Sequence, residues 1–383
     1  MSREPIMYTS MRTGSSALCA ILLGAALITG AAACASEDPG DPGDPGDPDL
    51  GSTAAEIIGG FPVDSAELNA IGALGADLGE GVVPFCTGTL IAPTRVLTAK
   101  HCVLAVPDGT PITFLIGPDA RAPVRAVPVR GTAVEPTVSG GLQGLGSDVA
   151  IVHLAEAVTD VAPLPVAALT DEQIGSRMIG VGYGVQNAKQ DFGTRRAGSM
   201  TLKATGGPVF AAVFGSFERF LEAGAPRLFP TLDPAKPEDL AVLRQIYDEL
   251  RLLDGIEAWF GSGPGDAQAC NGDSGGPIAQ RVGTQTTVFG VTSWGFHQDD
   301  GTCALDGASY ASMNPTSLDF IDYEAHCPLI PRAGTCDGAT VAVRCASPDE
   351  GGRRELRTDC AELGQICGAG PDGTVGCVDA PRE

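Results

Sequence analysis

A chain of 383 residues, 43% of them hydrophobic, is long enough for two or three domains with ordinary globular cores. Its 52 glycines, 29 prolines and 5% aromatics point to many turns and short strands rather than long helices. A formal charge of −23 argues against nucleic acid or an anionic membrane surface as a partner, and in favour of a soluble, acidic, extracellular protein.

From Ser16 to Ala33 the sequence is apolar, with Arg3 and Arg12 before the run and small residues after it. This is the layout of a secretory signal (residues 1–33) rather than of a permanent spanning helix. Ala31-Ala32-Ala33-Cys34 resembles a bacterial lipoprotein processing site, in which Cys34 is lipidated and becomes a membrane tether. Ordinary cleavage at an Ala-x-Ala site is the competing reading, because no large aliphatic residue stands three before the cysteine. Residues 34–56 hold Asp38-Pro39-Gly40 repeated through Asp47-Pro48, cannot bury apolar area, and read as an extended, charged linker or propeptide.

Between Ile57 and Tyr323, short apolar or alternating runs are separated by Gly, Pro, Asn and Asp. Gly88–Ile91, Arg95–Thr98, Ile112–Ile116, Val124–Val129 and Thr286–Thr292 are examples. Such spacing predicts an antiparallel β-barrel or sandwich. One region departs from it. Pro237 opens a run that places Leu240, Leu243, Ile246, Tyr247, Leu250 and Leu253 on one helical face before Gly255, which predicts an amphipathic helix of about five turns.

Setting aside Cys19 in the signal and Cys34 as a lipid site leaves ten of the twelve cysteines, an even number as expected of an exported protein with disulfides. Six of these, Cys327, Cys336, Cys345, Cys360, Cys367 and Cys377, crowd residues 327–383 and predict a small disulfide-stapled module, too short to build a sufficient core. Its 15 connectivities stay open. Zinc is the rival, but no cysteine pair has two-residue spacing and no histidine follows His326. A binding or spacer module is expected, its partner unknown.

Three segments carry chemistry. Ala269-Cys270-Asn271-Gly272-Asp273-Ser274-Gly275-Gly276-Pro277 sets Ser274 in a glycine-rich turn, where small neighbours let a carbonyl and backbone N–H groups approach its hydroxyl. A serine nucleophile needs a histidine base and a carboxylate to orient it. Leu97–Cys102 offers His101 and Ser147–Leu154 offers Asp148. The same turn fits the G-x-S-x-G elbow of α/β-hydrolases. In that fold, however, acid and histidine follow the serine, and a helix follows it too, whereas β-rich sequence follows Ser274.

With Ile57-Ile58-Gly59-Gly60 upstream and the order His, Asp, Ser, the chain resembles the trypsin/chymotrypsin family of serine endopeptidases. The resemblance implies a mainly β fold over residues 57–326, two antiparallel six-stranded barrels with the reactive residues between them. The segment 207–255 stands out as a helical insertion, expected to support the second barrel. His101 is then the general base and acid, Asp148 its orienting carboxylate and Ser274 the nucleophile, with the N–H groups of Gly272 and Ser274 as oxyanion hole. Disulfides Cys86–Cys102 and Cys270–Cys303 are implied.

Cutting before Ile57 would free an α-amino group to pair with Asp273, so a zymogen is implied. Glu56 stands where trypsin-activated relatives have Arg or Lys, which points to another activating protease or to self-processing. Gln268 replaces the pocket aspartate of trypsin-like members. With Gly295 and Ala308 as small wall residues, it predicts cleavage after an uncharged side chain, with a polar contact from Gln268. Asp299, Asp300 and Asp306 read as solvated loop charges. Ser293-Trp294-Gly295 is expected to pair with the substrate backbone. The implied partner is a protein or peptide substrate, and neither metal nor organic cofactor is expected. The alternative is an inactive protease fold serving as a binding scaffold at the cell surface.

Overall fold

A computed structural model describes residues 60–79, 81–136, 140, 146–185, 192–262, 265–297 and 303–381. The signal segment, Cys34, the Asp-Pro-Gly linker, Glu56, Ile57, Asp299 and Asp300 lie outside the described residues.

Six strands, β1 (Ile71–Asp77), β2 (Val82–Ala92), β3 (Arg95–Thr98), β4 (Ile112–Ile116), β5 (Arg125–Val134) and β6 (Ala150–Leu154), close into an antiparallel barrel in the order β1-β2-β3-β6-β5-β4. Six more form a second ring: β7 (Arg177–Gly182), β8 (Arg196–Ala204), β9 (Glu257–Phe260), β10 (Pro277–Val282), β11 (Gln285–His297) and β12 (Cys303–Ser312). Their order is β7-β8-β9-β12-β11-β10, and β10 pairs back to β7; Phe61–Pro62 lie outside β8. Closure leaves no row of unpaired backbone groups on either ring. The expected mainly β architecture of two six-stranded barrels is the one found.

Inward-facing side chains fill each barrel, with Leu74, Leu90, Leu97, Phe114 and Ile151 in the first and Met178, Met200, Leu202, Phe260, Ile278 and Tyr310 in the second. Along β8 the interior takes every second residue, Met200, Leu202 and Ala204, as a one-sided strand requires. β6 is buried at all five positions because a C-terminal helix, α4 (Pro315–His326), covers its outer face. That cover explains His153, to which the sequence assigned no role. Its Nε2 lies 2.8 Å from Glu324 Oε2 on α4, and both side chains are buried. Asn314 caps α4 by accepting from the N–H groups of Thr316 and Ser317 at 2.8 and 3.1 Å, an arrangement worth about 1 kcal/mol.

Helix α1 (Lys100–Leu104) follows β3 directly. The insertion holds α2 (Val209–Phe214), further short helical turns to Leu228, and α3 (Pro237–Glu249). The predicted helix is present but shorter. It has Pro237 in its first turn and buries Leu243 and Tyr247, then stops at Glu249. Leu250 turns extended, and Arg251–Leu252 pair with Gly207–Pro208, so Leu253 and Gly255 are outside the helix. The strand partner is more than forty residues away in sequence, out of reach of any periodicity argument. Phe210, Phe220, Leu243 and Tyr247 form a separate core with Phe296 of β11 packed against it.

Beyond α4 the tail forms a three-stranded sheet (Thr335–Asp337, Val341–Cys345, Glu355–Asp359) and a hairpin (Ile366–Ala369, Val375–Val378). Its cysteines pair Cys327–Cys345, Cys336–Cys367 and Cys360–Cys377. Tyr323 and Cys327 pack with Ile330 and Val343, and Arg353 joins Asp319 and Asp322 of α4.

Candidate active site

His101 sits in the first turn of α1, whose N-cap residue Ala99 has no side chain to satisfy the free N–H groups there. Asp148, just before β6, supplies the missing acceptor. Its Oδ1 accepts from the His101 backbone N–H at 2.9 Å, while Oδ2 lies 2.7 Å from His101 Nδ1. Asp148 is buried and His101 is partly open to solvent, and the ring is fixed on its Nδ1 side. Ser293 Oγ donates to the same Oδ2 at 2.6 Å, a short charge-assisted bond. The sequence placed Ser293 with the substrate strand; its hydroxyl also holds Asp148.

Ser274 is brought to this pair by the turn before β10. Its carbonyl accepts from Thr87 N at 2.8 Å, and Cys102 Sγ lies 3.6 Å from that carbonyl and 3.8 Å from His101 Nε2. The Cys86–Cys102 disulfide therefore lies against both His101 and Ser274. Cys86, His101 and Cys102 are close enough together to suggest a metal site, but both sulfurs are spent in a disulfide and offer no thiolate. Among the described residues Ser274 Oγ makes no hydrogen bond; such bonds often close only when substrate arrives.

Two peptide planes decide where an oxyanion would be held. Asn271 O accepts from Val185 N at 2.7 Å, and Asp273 O accepts from Gly276 N at 2.8 Å. In a trans peptide the N–H points opposite to the C=O, so pinning these carbonyls turns the N–H groups of Gly272 and Ser274 to the other side. Among the described residues neither of those N–H groups donates to a carbonyl. Gly272 has φ +94°, and a Cβ there would meet Gly184 Cα at 2.9 Å, so glycine is required twice over. Thr87 Oγ1 donates to Gly272 O at 2.9 Å and fixes the turn from the first barrel.

Asp273 points inward and is fully enclosed. Its Oδ1 accepts from Gly184 N and its Oδ2 from Cys270 N, both at 2.8 Å. Burial pushes its carboxyl up to about 6, against the pull of these donors and of the Arg196 charge. Space for it exists only because residues 182 and 184 are glycines, since a Cβ at Gly182 would lie 2.1 Å from Oδ1.

Gln268, Gly295 and Ala308 come together as the sequence placed them. Gly295 pairs with Ala308, and a Cβ at Gly295 would stand 3.5 Å from both Ala308 Cβ and Gln268 Nε2. The expected polar contact from Gln268 to substrate meets an obstacle, because its amide is already committed. Nε2 donates to Gly307 O at 2.9 Å and Ala269 O at 3.1 Å, and Oε1 accepts from Gly307 N at 2.8 Å. Gln268 acts as a clamp on the pocket wall, beside the Cys270–Cys303 disulfide.

Beside the turn that carries Ser274, Pro84, Phe85, Cys86, Tyr183, Val185, Phe192, Asn271 and Gly272 line an open cleft of about 290 Å³. Along β11, Trp294 packs edge-on against Trp259 at 5.2 Å, and Phe296 stacks on Phe210 of the insertion at 5.4 Å.

Some contributors escaped the sequence reading. Lys100 and Glu135 are both buried, and both Asp148 and Glu135 act on the Lys100 charge. Burial lowers the Lys100 pKa against the opposing influence of Asp148 and Glu135. Burial raises that of Glu135, whose carboxylate accepts from Ser147 Oγ at 2.8 Å. A lysine inside the largely apolar run Val96–Cys102 is the sequence signal that could have found this network, since a buried charge needs partners.

A double barrel with histidine, carboxylate and serine gathered on its loops defines the class of chymotrypsin-like folds. The family model for trypsin matches residues 57–206 and 258–313, over half of the chain. The chain belongs to the trypsin family of serine proteases. The unmatched stretch between the two segments, residues 207–257, contains the insertion read at 207–255.

Proposed function

We propose that this protein is an exported serine endopeptidase that cleaves protein or peptide chains through His101, Asp148 and Ser274. The observation that carries the reading is Asp148, whose single carboxylate holds His101 at two points and Ser293 at a third. His101 takes the proton from Ser274 Oγ as it attacks the substrate carbonyl, and Asp148 stabilises the imidazolium. The tetrahedral oxyanion is met by the N–H groups of Gly272 and Ser274, an arrangement in which one donor is worth about 2.7–4 kcal/mol. His101 then passes the proton to the leaving amine; water repeats the sequence on the acyl-enzyme.

The side chain before the scissile bond enters the pocket of Gln268, Gly295 and Ala308. That pocket presents no carboxylate from Gln268 and a saturated amide, which supports preference for uncharged residues. The leaving segment lies along the cleft of Phe85 and Phe192, while Ser293-Trp294-Gly295 pairs with the acyl side. The precursor is exported and cut before Ile57, whose new α-amino group pairs with Asp273. Where Cys34 is lipidated, that cut also frees the catalytic part from the membrane.

A serine-reactive phosphonate and a peptide library test the reading on protein cut to begin at Ile57. Covalent labelling and cleavage by wild type, both lost in Ser274→Ala, are expected. Absence of both in wild type would return the chain to the inactive-scaffold reading.

A further inference from the structure

An uncut chain has no α-amino group at Ile57 to offer, and among the described residues other groups hold the turn around Ser274. Asp273 is turned inward and 2% exposed, and the carbonyls of Asn271 and Asp273 are pinned so that the oxyanion N–H groups face away from them. Two backbone N–H groups meet the Asp273 carboxylate, one on each oxygen, which leaves its charge without a formal counter-ion from the main chain. A carboxylate has acceptor sites for more than that, and a buried one needs a cation to remain ionised.

Arg196 is placed to supply it. In the β7–β8 pair Gly182 stands directly opposite Arg196, and side chains of facing residues leave a sheet on the same side about 5 Å apart. A Cβ on Gly182 would lie 2.1 Å from Asp273 Oδ1, so the Arg196 stem rises from the sheet beside that carboxylate. Arg196 is 7% exposed, and its Nη2 donates to Gly60 O at 3.1 Å, which ties the guanidinium to the segment that follows Ile57. The charge of Arg196 acts on Asp273 in the direction that favours the carboxylate.

We propose that Arg196 is a positioning residue, the built-in counter-cation of Asp273, and that it keeps the oxyanion turn assembled before the chain is cut. Cutting before Ile57 then amplifies activity rather than creating it. The proposal rests on the catalytic reading above and concerns the regulation of the same site. A guanidinium held by the β-sheet does in the uncut chain part of what the new α-amino group does after the cut. Once that amino group is in place, Arg196 is largely redundant.

The test uses the full chain with a specific protease recognition sequence in place of residues 52–56, so that one preparation yields uncut protein and protein beginning at Ile57. Labelling by a serine-reactive phosphonate is followed by intact mass, which separates the two forms. Uncut wild type is expected to label within about 100-fold of the cut rate. Arg196→Gln lowers uncut labelling by a further factor of about 30 or more and leaves the cut form within threefold, and Arg196→Lys restores most of the uncut rate. Equal loss in both forms, failure of Arg196→Lys to rescue, or unchanged uncut labelling in Arg196→Gln overturns the proposal. So does a wild type that labels only when cut. If cut wild type fails to label, the catalytic reading falls first and the proposal with it.

Discussion

Replacing Gln268 with glutamate changes one NH₂ group to an oxygen and leaves the size of the side chain almost untouched, so it tests the clamp directly. Oε1 keeps its bond from Gly307 N at 2.8 Å. The second oxygen, however, would face two carbonyl oxygens that now receive N–H donors, Gly307 O at 2.9 Å and Ala269 O at 3.1 Å. Gly307 itself cannot retreat easily, since it sits at φ +90° with a Cβ position 2.4 Å from Phe260 O. Two lost donor bonds at about 0.5–1.5 kcal/mol each, plus the opposed oxygens, give a deficit of about 2–4 kcal/mol at pH 8. Protonation restores one donor, so the folded state raises the new carboxyl above its unfolded value of about 4.3. The stability recovered is complete below that value and lost as pH rises through the raised one. Thermal unfolding in a Ser274→Ala background, which prevents self-digestion, is expected to show Tm lowered by about 5–12 °C at pH 8 and by about 3 °C at pH 5. Gln268→Leu, which loses all three bonds, is expected to show a deficit independent of pH. A Glu variant as stable as its parent at pH 8, or equally weakened at both pH values, would refute the clamp.

Asp148→Asn is expected to lower kcat by about 10⁴-fold with little change in KM, because an amide facing Nδ1 favours the wrong tautomer; steady-state kinetics on a good peptide checks it. Gly182→Ala places a methyl 2.1 Å from Asp273 Oδ1 and is expected to cost about 1–3 kcal/mol and most of the phosphonate labelling, read by unfolding and labelling together. Phe210→Ala removes a fully buried ring from the stack with Phe220 and Phe296 and is expected to cost about 3–5 kcal/mol in urea unfolding. If the insertion also supports β11, its KM for long peptides rises while phosphonate labelling holds. In the uncut chain the Asp273 carboxyl, pushed up to about 6 by burial, favours the fold in its neutral form. That contribution, about 3 kcal/mol, is complete below the ordinary aspartate value of about 4 and lost as pH rises through 6. Urea unfolding of uncut Ser274→Ala from pH 4 to 7.5 is expected to show it, and Asp273→Asn to flatten the slope; a flat profile in the parent would count against it.

The sequence by itself determined what depends on residue type and short-range order. The runs Arg95–Thr98 and Ile112–Ile116 are strands with those very ends, and the segments holding His101, Asp148 and Ser274 follow one another in the order that carried the resemblance, inside the stretches the trypsin family model matches. The cysteine-dense tail announced a stapled module. Tertiary structure alone decided what depends on residues far apart in the chain. Periodicity carried the insertion helix on to Leu253, but pairing of Arg251–Leu252 with Gly207–Pro208 ends it at Glu249. Three disulfides were chosen from fifteen by which strands pack together in the tail. The bond from Ser293 to Asp148 spans 145 positions, and Gln268 reaches 39 positions to Gly307. Arg196 stands opposite Gly182, on the side of the sheet that Asp273 occupies, only because β8 pairs with β7. Local sequence sets dihedral preference and chemistry, whereas closure of two barrels sets which distant groups share a buried, low-dielectric space, and there their interactions are strong enough to govern the site.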